Sequence, residues 1–173
     1  KEKGLAHVPE DRQRMGLVTN FKATENLIFG YHHKYPFSKS SIMLENKILS
    51  YAERAMKEYD VRPPSPNLLT SNFSGGNQQK LILSRELDKN PKVLLVGQPT
   101  RGVDIGAIEF IHQRLIEMRD KGAAILLVSV ELEEILSLSD RVVVMFDGNI
   151  VGEKINNNIT DRDLGLLMAG IKE

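Results

Sequence analysis

The sequence predicts an α/β fold, with a mostly parallel sheet flanked by helices and an inserted helical subdomain. Two continuous apolar segments of strand length, Val93–Val96 and Ala124–Ser129, are separated by Ile105–Lys121, in which apolar residues recur at helical spacing. Uninterrupted apolar strands that alternate with helices are typical of a parallel sheet covered on both faces. The first half of the chain shows mainly helical patterns, which predicts a separate subdomain inserted into that sheet.

The first elements along the chain are short. Leu5 to Val8 is apolar and predicts a strand that ends at Pro9. The charged residues from Glu10 to Arg14 predict a loop. Leu68 and Leu69 then lead into the segment on which most of the functional interpretation depends.

Helical patterns occupy the region between these two places. Thr24 has the side chain of an N-cap and predicts a short helix over Glu25–Phe29. Residues 32–41 have mixed polarity and predict a loop. The longest helical pattern runs from Ile42 to Tyr59, and the prolines that follow must end it.

A serine and two glycines precede the amphipathic run Gln78–Leu87, and Ser74 is a good N-cap for that helix. The first turn of a helix leaves backbone N–H groups unpaired, and the helix dipole makes this end partly positive. Glycines remove the side chains that would keep an anion away. We therefore expect Ser74-Gly75-Gly76 to contact a phosphate, the alternative being a loop-to-helix junction without a ligand.

The last part of the chain alternates strands and helices. A helix is predicted at Glu131–Leu138, followed by a strand at Arg141–Phe146. Asp147-Gly148 is a strong hairpin signal that leads into a second strand, Ile150–Ile155. The final helix is predicted at Asp161–Met168.

Composition narrows the class of protein. The chain has 173 residues, of which 41% are hydrophobic, so it can bury a core. Its net charge is zero, so no basic surface for nucleic acid is indicated. It contains no cysteine, no signal peptide pattern and no apolar run long enough to span a bilayer. The four histidines lack the spacing of metal ligands, so we predict no metal site.

The order of motif, helix, strand, turn and helix after residue 72 resembles the ATPase subunits of ATP-binding cassette (ABC) transporters. Ser74-Gly75-Gly76-Asn77-Gln78 resembles the signature motif of that family, Val93–Val96 its Walker B strand, and Gly102-Val103-Asp104 its D-loop. Val8-Pro9-Glu10 stands at the Q-loop, where Glu10 replaces the usual glutamine, and Val130 stands at the switch-histidine position. The resemblance covers nearly the whole chain and implies a partial P-loop NTPase (ABC ATPase) fold.

The resemblance also implies a domain organisation. Residues 1–173 would be a partial nucleotide-binding domain, with a helical subdomain at 24–71 and the signature motif and Walker B core at 72–173. Three motifs, at residues 9–12, 73–80 and 99–104, look like the second, C-terminal ATPase half of importers for simple sugars or nucleosides. In that branch two such halves share one polypeptide.

Three departures from the family pattern predict that the site of this half is degenerate. No Walker A pattern occurs in the chain, and the first residue is Lys1 rather than Met, so we expect a fragment. The usual Asp-Glu at the end of the Walker B strand is Gly97-Gln98, which supplies neither a carboxylate ligand nor a general base. Loss of a general base lowers a rate by about 10²–10⁴. Val130 cannot bind a γ-phosphate as histidine would, so we expect no catalytic residue here.

The signature motif is intact, and the resemblance assigns it to the partner half. In the family each ATP lies between the Walker A loop of one half and the signature motif of the other. Ser74, Gly75, Gly76, Asn77 and Gln78 would thus contact the partner's ATP. Asp104 would lie at the interface between the halves, and Glu10 would pass movement to the permease.

The expected cofactors are ATP and Mg²⁺ in the full-length dimeric assembly, with the chain alone unable to bind or hydrolyse ATP. The expected partners are the first nucleotide-binding half, in the same polypeptide or another copy, and the transmembrane permease. Nucleic acid is not expected as a partner. The expected location is the cytoplasmic face of a bacterial membrane.

Other interpretations remain open from the sequence. The half could be a structural and regulatory docking module without a nucleotide of its own, or the chain could come from a soluble ABC-type ATPase. Asp104 could be no more than a helix N-cap. A sheet without its first strands would expose apolar surface and an unpaired edge, so we also expect the chain to form a homo-oligomer.

Overall fold

A computed structural model describes residues 4–157 and 159–171 of the chain. These residues form two compact units, Lys1–Leu126 and Leu127–Glu173. The predicted helical subdomain at 24–71 lies within the first unit, and its independence remains a prediction. The start at Lys1, on which the expectation of a fragment partly depends, falls outside the described residues.

Two strands of the predicted parallel sheet, β1 (Leu5–Val8) and β4 (Val93–Gly97), lie wholly in the first unit. The strand order is β1, β4 and β5 (Ala124–Val128). Strands β1 and β4 are parallel, with Leu5 opposite Val93 and Val8 opposite Val96. The α/β class expected from the apolar strand patterns is therefore confirmed.

The two faces of the β1–β4 pair differ in burial. Ala6, Val8, Leu94 and Val96 are buried, and helix α3 (Gly75–Leu87) packs against β1. The opposite face is partly open, because Leu5 is 40% and Val93 is 41% exposed. Continuous apolar strands had led us to expect burial on both faces, whereas the described residues bury only one of them.

The region between β1 and α3 includes two α-helices and a small hairpin. They are α1 (Ala23–Leu27), β2 (Ser38–Lys39), β3 (Ile42–Met43) and α2 (Glu45–Glu58). Helix α2 begins three residues later than predicted, because Ile42 and Met43 pair with β2 instead. The turn between the strands has positive φ at Ser40 and Ser41. Such turns usually carry Asn-Gly, so the two serines did not indicate a hairpin in the sequence.

The cap of α1 is also different from the prediction. Thr24 lies inside the helix, and Lys22 occupies the N-cap position. The backbone N–H of Lys22 donates to the carboxylate of Glu25 at 2.7 Å, which stabilises the start of the helix. The acidic residue of the first turn, rather than the threonine hydroxyl, therefore satisfies the free N–H.

The charged stretch after β1 forms a π-helical turn over Arg12–Gly16, where a loop was predicted. The carboxylate of Asp11 accepts hydrogen bonds from the backbone N–H groups of Gln13 at 3.1 Å and Arg14 at 3.0 Å. This cap fixes the turn and directs Arg12. Three residues in the middle of α3, Leu81 to Leu83, are all buried and form the centre of this unit.

Helix α4 (Ile105–Asp120) packs against α3 and completes the first unit. Its buried side is formed by Ala107, Ile111, Leu115 and Met118. The predicted start at Ile105 is confirmed, and Gly122 with φ of +92° follows its end. A glycine is suited to this left-handed position after a helix.

The second unit contains helix α5 (Leu132–Leu138), the antiparallel strands β6 (Arg141–Phe146) and β7 (Asn149–Ile155), and helix α6 (Asp161–Met168). Its buried core consists of Val142, Val144, Leu164 and Leu167. The predicted Asp147-Gly148 hairpin is confirmed, since both residues have positive φ. Among the described residues, none of the helices combines the length and apolar character needed to cross a bilayer.

Candidate functional site at two helix N-termini

Two predicted site positions meet where β1 and β4 end. Parallel strands place their carboxyl ends at one edge of the sheet, so Glu10 and Gly97-Gln98 emerge together. A Cβ added at Gly97 would lie 3.2 Å from the backbone nitrogen of Glu10. The carboxylate of Glu10 accepts a hydrogen bond from the Arg101 guanidinium at 2.7 Å. Both groups of this ion pair are largely exposed, so it orients the loop more than it stabilises the fold.

The segment that resembles the signature motif forms the N-terminus of α3. Ser74 is its N-cap, although the Ser74 hydroxyl oxygen lies a long 3.5 Å from the backbone nitrogen of Asn77. The side-chain amide of Asn77 donates to the same hydroxyl at 2.9 Å. The other end of that amide accepts from the backbone N–H of Arg62 at 2.7 Å. Asn77 therefore joins the helix start to the segment that follows α2.

Gly75 and Gly76 lie inside the first turn of α3, where neighbouring groups come close. A Cβ at Gly75 would be 2.6 Å from a guanidinium nitrogen of Arg12 and 3.0 Å from the Gly102 carbonyl oxygen. A Cβ at Gly76 would be 3.1 Å from the Asp104 carboxylate. The segment before α4 thus leaves little room for a side chain at these two positions. This is a second reason for glycine here, besides the access for an anion that the sequence suggested.

Asp104 caps α4, as one interpretation of the sequence expected. Its carboxylate accepts from the backbone N–H of Ala107 at 2.9 Å. The N-termini of α3 and α4 therefore lie side by side, and the positive ends of both helix dipoles favour an anion near them. A groove of about 340 Å³ lies between these ends and is lined by Asp60, Arg62, Gly76, Asn77, Lys80, Asp104, Gly106 and Ala107.

Ionic partners lie along one side of this groove. The Arg62 guanidinium donates to the Asp60 carboxylate at 2.9 Å, and Lys80 donates to the Asp60 carbonyl oxygen at 3.0 Å. The hydrogen bond from Arg62, aided by the charge of Lys80, holds the pKa of Asp60 below its ordinary value. The groove therefore combines two basic side chains with two carboxylates.

Gln78 turns away from the helix N-terminus. Its side chain is 3% exposed, and its amide nitrogen donates to the Thr70 carbonyl oxygen at 3.1 Å. The amide oxygen accepts from Gln13 at 3.4 Å. The side chain thus braces the start of α3, and its expected contact with a nucleotide stays a prediction.

Gly97-Gln98, which the resemblance assigns to the end of the Walker B strand, has no metal-binding character. Gly97 has no side chain, and Gln98 adopts a left-handed backbone conformation with φ of +45°. Within residues 4–157 and 159–171, no three His, Cys, Asp or Glu side chains form a group that could hold a metal ion. The donor set at Gly97-Gln98 does not fit Mg²⁺.

Val130 belongs to the second unit, in the link between β5 and α5. Its side chain is 62% exposed. Its assignment to the switch position rests on the sequence and stays a prediction.

Arg12 and Arg101 are the residues of this site to which the sequence assigned no role. Arg12 donates to the carbonyl oxygens of Arg101 at 2.6 Å and Gly102 at 3.2 Å. The sequence singled out Arg12 only as part of the motif after the first strand. Its hydrogen-bond acceptor, the carbonyl oxygen of Arg101, is 89 residues away and could not be identified from the sequence.

Comparison with known proteins identifies homologues along nearly the whole chain, although no protein-family model matches it. The guanosine import ATP-binding protein of Bacillus subtilis (strain 168) is 47% identical over 169 residues, which cover 98% of this chain and 33% of that protein. The nucleoside import ATP-binding protein of Lactococcus lactis subsp. cremoris is 49% identical over 169 residues, which cover 98% of this chain and 33% of that protein. The xylose import ATP-binding protein of Photobacterium profundum is 38% identical over 161 residues, 93% of this chain and 31% of that protein.

Solved structures agree on the fold. A dimeric ATP-binding cassette bound to ADP and Pi matches with a TM-score of 0.71 and 23% identity, over 90% of this chain and 64% of that one. A nucleotide-free cassette of an ABC transporter matches with a TM-score of 0.69 and 21% identity, over 97% and 66%. The chain spans about a third of the length of the curated relatives it matches. The chain is therefore a homologue, over nearly its whole length, of the ATP-binding proteins of nucleoside and sugar import, and it has the fold of the ATP-binding cassettes.

Proposed function

We propose that the chain is part of the ATP-binding subunit of an importer for nucleosides or simple sugars, and that the N-terminus of α3 contacts ATP held by a partner half. The observation that carries this proposal is the side-by-side arrangement of two helix N-termini at Ser74–Gly76 and Asp104. The identity with guanosine and nucleoside import proteins supports the substrate class.

The chemistry of this chain toward ATP is to bind and orient it. Ser74, Gly75 and Gly76 present backbone N–H groups and a hydroxyl to a phosphate, which fits their position at the start of α3. Gly97-Gln98 and Val130 provide no general base or phosphate ligand of the usual kind, so hydrolysis would depend on the partner half. Mg²⁺ would likewise be held outside Gly97-Gln98.

The partners follow from the same proposal. The first nucleotide-binding half, in the same polypeptide or in another copy, would supply the phosphate-binding loop. The permease would dock on residues 24–71, and Glu10 would transmit the closure of the two halves to it. The subunit would then lie at the cytoplasmic face of the membrane.

Transport by the complete importer tests the proposal. ATP turnover and the ATP-driven uptake of labelled guanosine and labelled xylose would be measured in vesicles that contain the complete protein, its permease and its receptor. We expect Ser74→Ala and Gly76→Val to lower ATP turnover, because both change the surface that faces the partner's ATP. Ser137→Ala, a hydroxyl on α5, is the control. Turnover unchanged by both signature variants would reject the proposed contact.

A second candidate function is a docking module that binds no nucleotide of its own. Gly97-Gln98 favours it, because neither residue offers the carboxylates expected at a working site. Calorimetry on the complete protein, with the phosphate-loop lysine of the first half replaced, separates the two. Residual tight ATP binding would reject the docking module, and its absence would support it.

A further inference from the structure

We propose that Arg12 is a positioning residue that ties the N-terminus of α3 to the segment before α4. For its effect on ATP turnover this inference rests on the proposed function, while its structural part is independent of it. The evidence lies in the contacts of one guanidinium group with two other chain segments.

The guanidinium of Arg12 binds two successive carbonyl groups of the segment before α4. One terminal nitrogen donates to the Arg101 carbonyl oxygen at 2.6 Å and the other to the Gly102 carbonyl oxygen at 3.2 Å. The planar fork of arginine suits such paired acceptors, whereas a lysine is a single point charge. Arg101 in turn binds Glu10 at 2.7 Å, so the two segments are linked in both directions.

The same guanidinium lies against the start of α3. A Cβ at Gly75 would be 2.6 Å from a terminal nitrogen and 3.2 Å from the central carbon of the group. The Arg12 Nε atom is buried and, among the described residues, has no hydrogen-bond partner. Burying an unpaired donor costs free energy, and an arginine that moved freely at the surface would not bear this cost.

The backbone around Arg12 is held in place for this contact. Asp11 caps the π-helical turn through two backbone N–H groups, and Gln13 on that turn bonds to Gln78 of α3. The three motifs at residues 9–12, 73–80 and 99–104 therefore meet at one side chain.

Arg12 would act on the reaction by keeping two ATP-facing elements in register. The proposed function places Ser74–Gly76 against the partner's ATP and Asp104 at the interface between the halves. Without Arg12 these two elements can move apart, which misaligns groups needed in the transition state. The affinity for ATP should change little, because no phosphate-binding loop of the Walker A pattern occurs in this chain.

The test uses the complete protein with its partner subunits and compares Arg12→Ala, Arg12→Lys and Arg14→Ala. Arg14 lies on the same turn, and among the described residues its side chain makes no hydrogen bond or ion pair. Arg14→Ala therefore removes the same charge and leaves the contacts of Arg12 in place. Three quantities are measured: kcat for ATP, KM for ATP, and the rate of amide hydrogen exchange at residues 75–78 and 101–104.

We expect Arg12→Ala to lower kcat by about tenfold or more with KM within about twofold, and to speed exchange in both segments. Arg12→Lys should recover only part of kcat, and Arg14→Ala should match the unchanged protein. If amide exchange in Arg12→Ala equals that in Arg14→Ala, Arg12 does not link the start of α3 to the segment before α4. Faster exchange with unchanged kcat would overturn the positioning role.

Gly75→Ala provides an independent test in case Arg12→Ala fails to fold. Its Cβ would displace the guanidinium without removing it, so amide exchange at residues 101–104 should become faster, as in Arg12→Ala. Unchanged exchange at residues 101–104 would contradict the inference. If Ser74→Ala and Gly76→Val leave kcat unchanged while exchange responds to Arg12→Ala, the proposed function fails and the tie itself stands.

Discussion

Gly76 and Gly106 are each the second residue of a helix, in α3 and α4, but a side chain would meet different surroundings at the two places. A Cβ at Gly76 would lie 3.1 Å from both the Ala107 Cβ and the Asp104 carboxylate, while one at Gly106 would lie at an ordinary 3.5 Å from Asp104. We expect Gly76→Ala to destabilise the protein by about 1–3 kcal/mol through overpacking. Urea unfolding monitored by circular dichroism measures this change.

Gly106→Ala is the matched control for that experiment. Alanine has a higher helix propensity than glycine, by up to about 1 kcal/mol, so this variant should be neutral or slightly stabilised. Equal effects of the two substitutions would show that the close contact between the helix starts does not decide the need for glycine.

Tyr59 is a second residue whose surroundings have a measurable consequence. Burial, more than any neighbouring charge, raises its pKa to about 12, and its ring lies edge-on to Phe110. The unfolded chain has a tyrosine pKa of about 10, so the neutral phenol stabilises the folded state below pH 10. This stabilisation is lost as the pH rises from about 10 to about 12.

The test for Tyr59 is the pH dependence of unfolding. In Tyr59→Phe, the free energy of unfolding should fall less steeply between about pH 10 and 12 than in the unchanged protein. Tyr35→Phe changes a ring that is 77% exposed and should follow the unchanged protein. An identical slope for all three proteins would contradict the assignment.

At the scale of elements, the caps of α3 and α4 differ in quality. The Asp104 carboxylate accepts from the Ala107 N–H at 2.9 Å, whereas the Ser74 hydroxyl lies 3.5 Å from the Asn77 nitrogen. An N-cap contributes about 0.5–2 kcal/mol, and a charged cap also interacts with the helix dipole. We expect Asp104→Ala to lower the unfolding free energy more than Ser74→Ala.

Denaturant unfolding of both cap variants measures this difference. Thr160→Ala, which removes the cap of α6 in the second unit, is a useful reference because Thr160 accepts from Asp163 at an ordinary 3.2 Å. A larger loss of stability in Ser74→Ala than in Asp104→Ala would contradict the ranking. It would also indicate that the Asn77 side chain depends on Ser74 more than the geometry suggests.

Strand β6 and helix α6 have the bounds that the sequence predicted. The end of β6 is marked in the sequence by the turn residues Asp147 and Gly148. The start of α2 was wrong, since pairing between β2 and β3 removes Ile42 and Met43 from the helical pattern. The π-helical turn after β1 was missed because a charged run has no apolar period.

At the scale of the whole molecule, the open face of the sheet predicts association. Leu5 and Val93 face the same side of the β1–β4 pair and are about 40% exposed. Exposed apolar surface on a sheet favours contact with another copy. We expect the isolated chain to form a homo-oligomer at tens of micromolar in light scattering, and Val93→Lys to shift it toward monomer.

The control for this association is Leu49→Lys, which places the same charge at an apolar side chain that is 37% exposed on α2. It should leave the oligomer unchanged. A monomer in the unchanged chain, or equal dissociation by both substitutions, would reject the sheet face as the contact.

The sequence by itself determined the fold class, the order of the main elements and the resemblance to ATP-binding cassettes. Apolar periodicity and short turn signals are local, and the motif at residues 73–80 can be recognised without any coordinates. It also placed Glu10, Gly97, Gln98 and Asp104 at element ends, where functional side chains are expected. These inferences need only neighbours along the chain.

Only the tertiary structure decided which groups meet. It brings Arg12 against Gly75 and the carbonyl groups of Arg101 and Gly102, which are 89 and 90 residues away from it in the sequence. It also turns Gln78 inward and leaves one face of the sheet partly exposed. The physical reason is that hydrogen bonds and close packing between distant segments depend on how the chain crosses itself, which no local pattern of residues encodes.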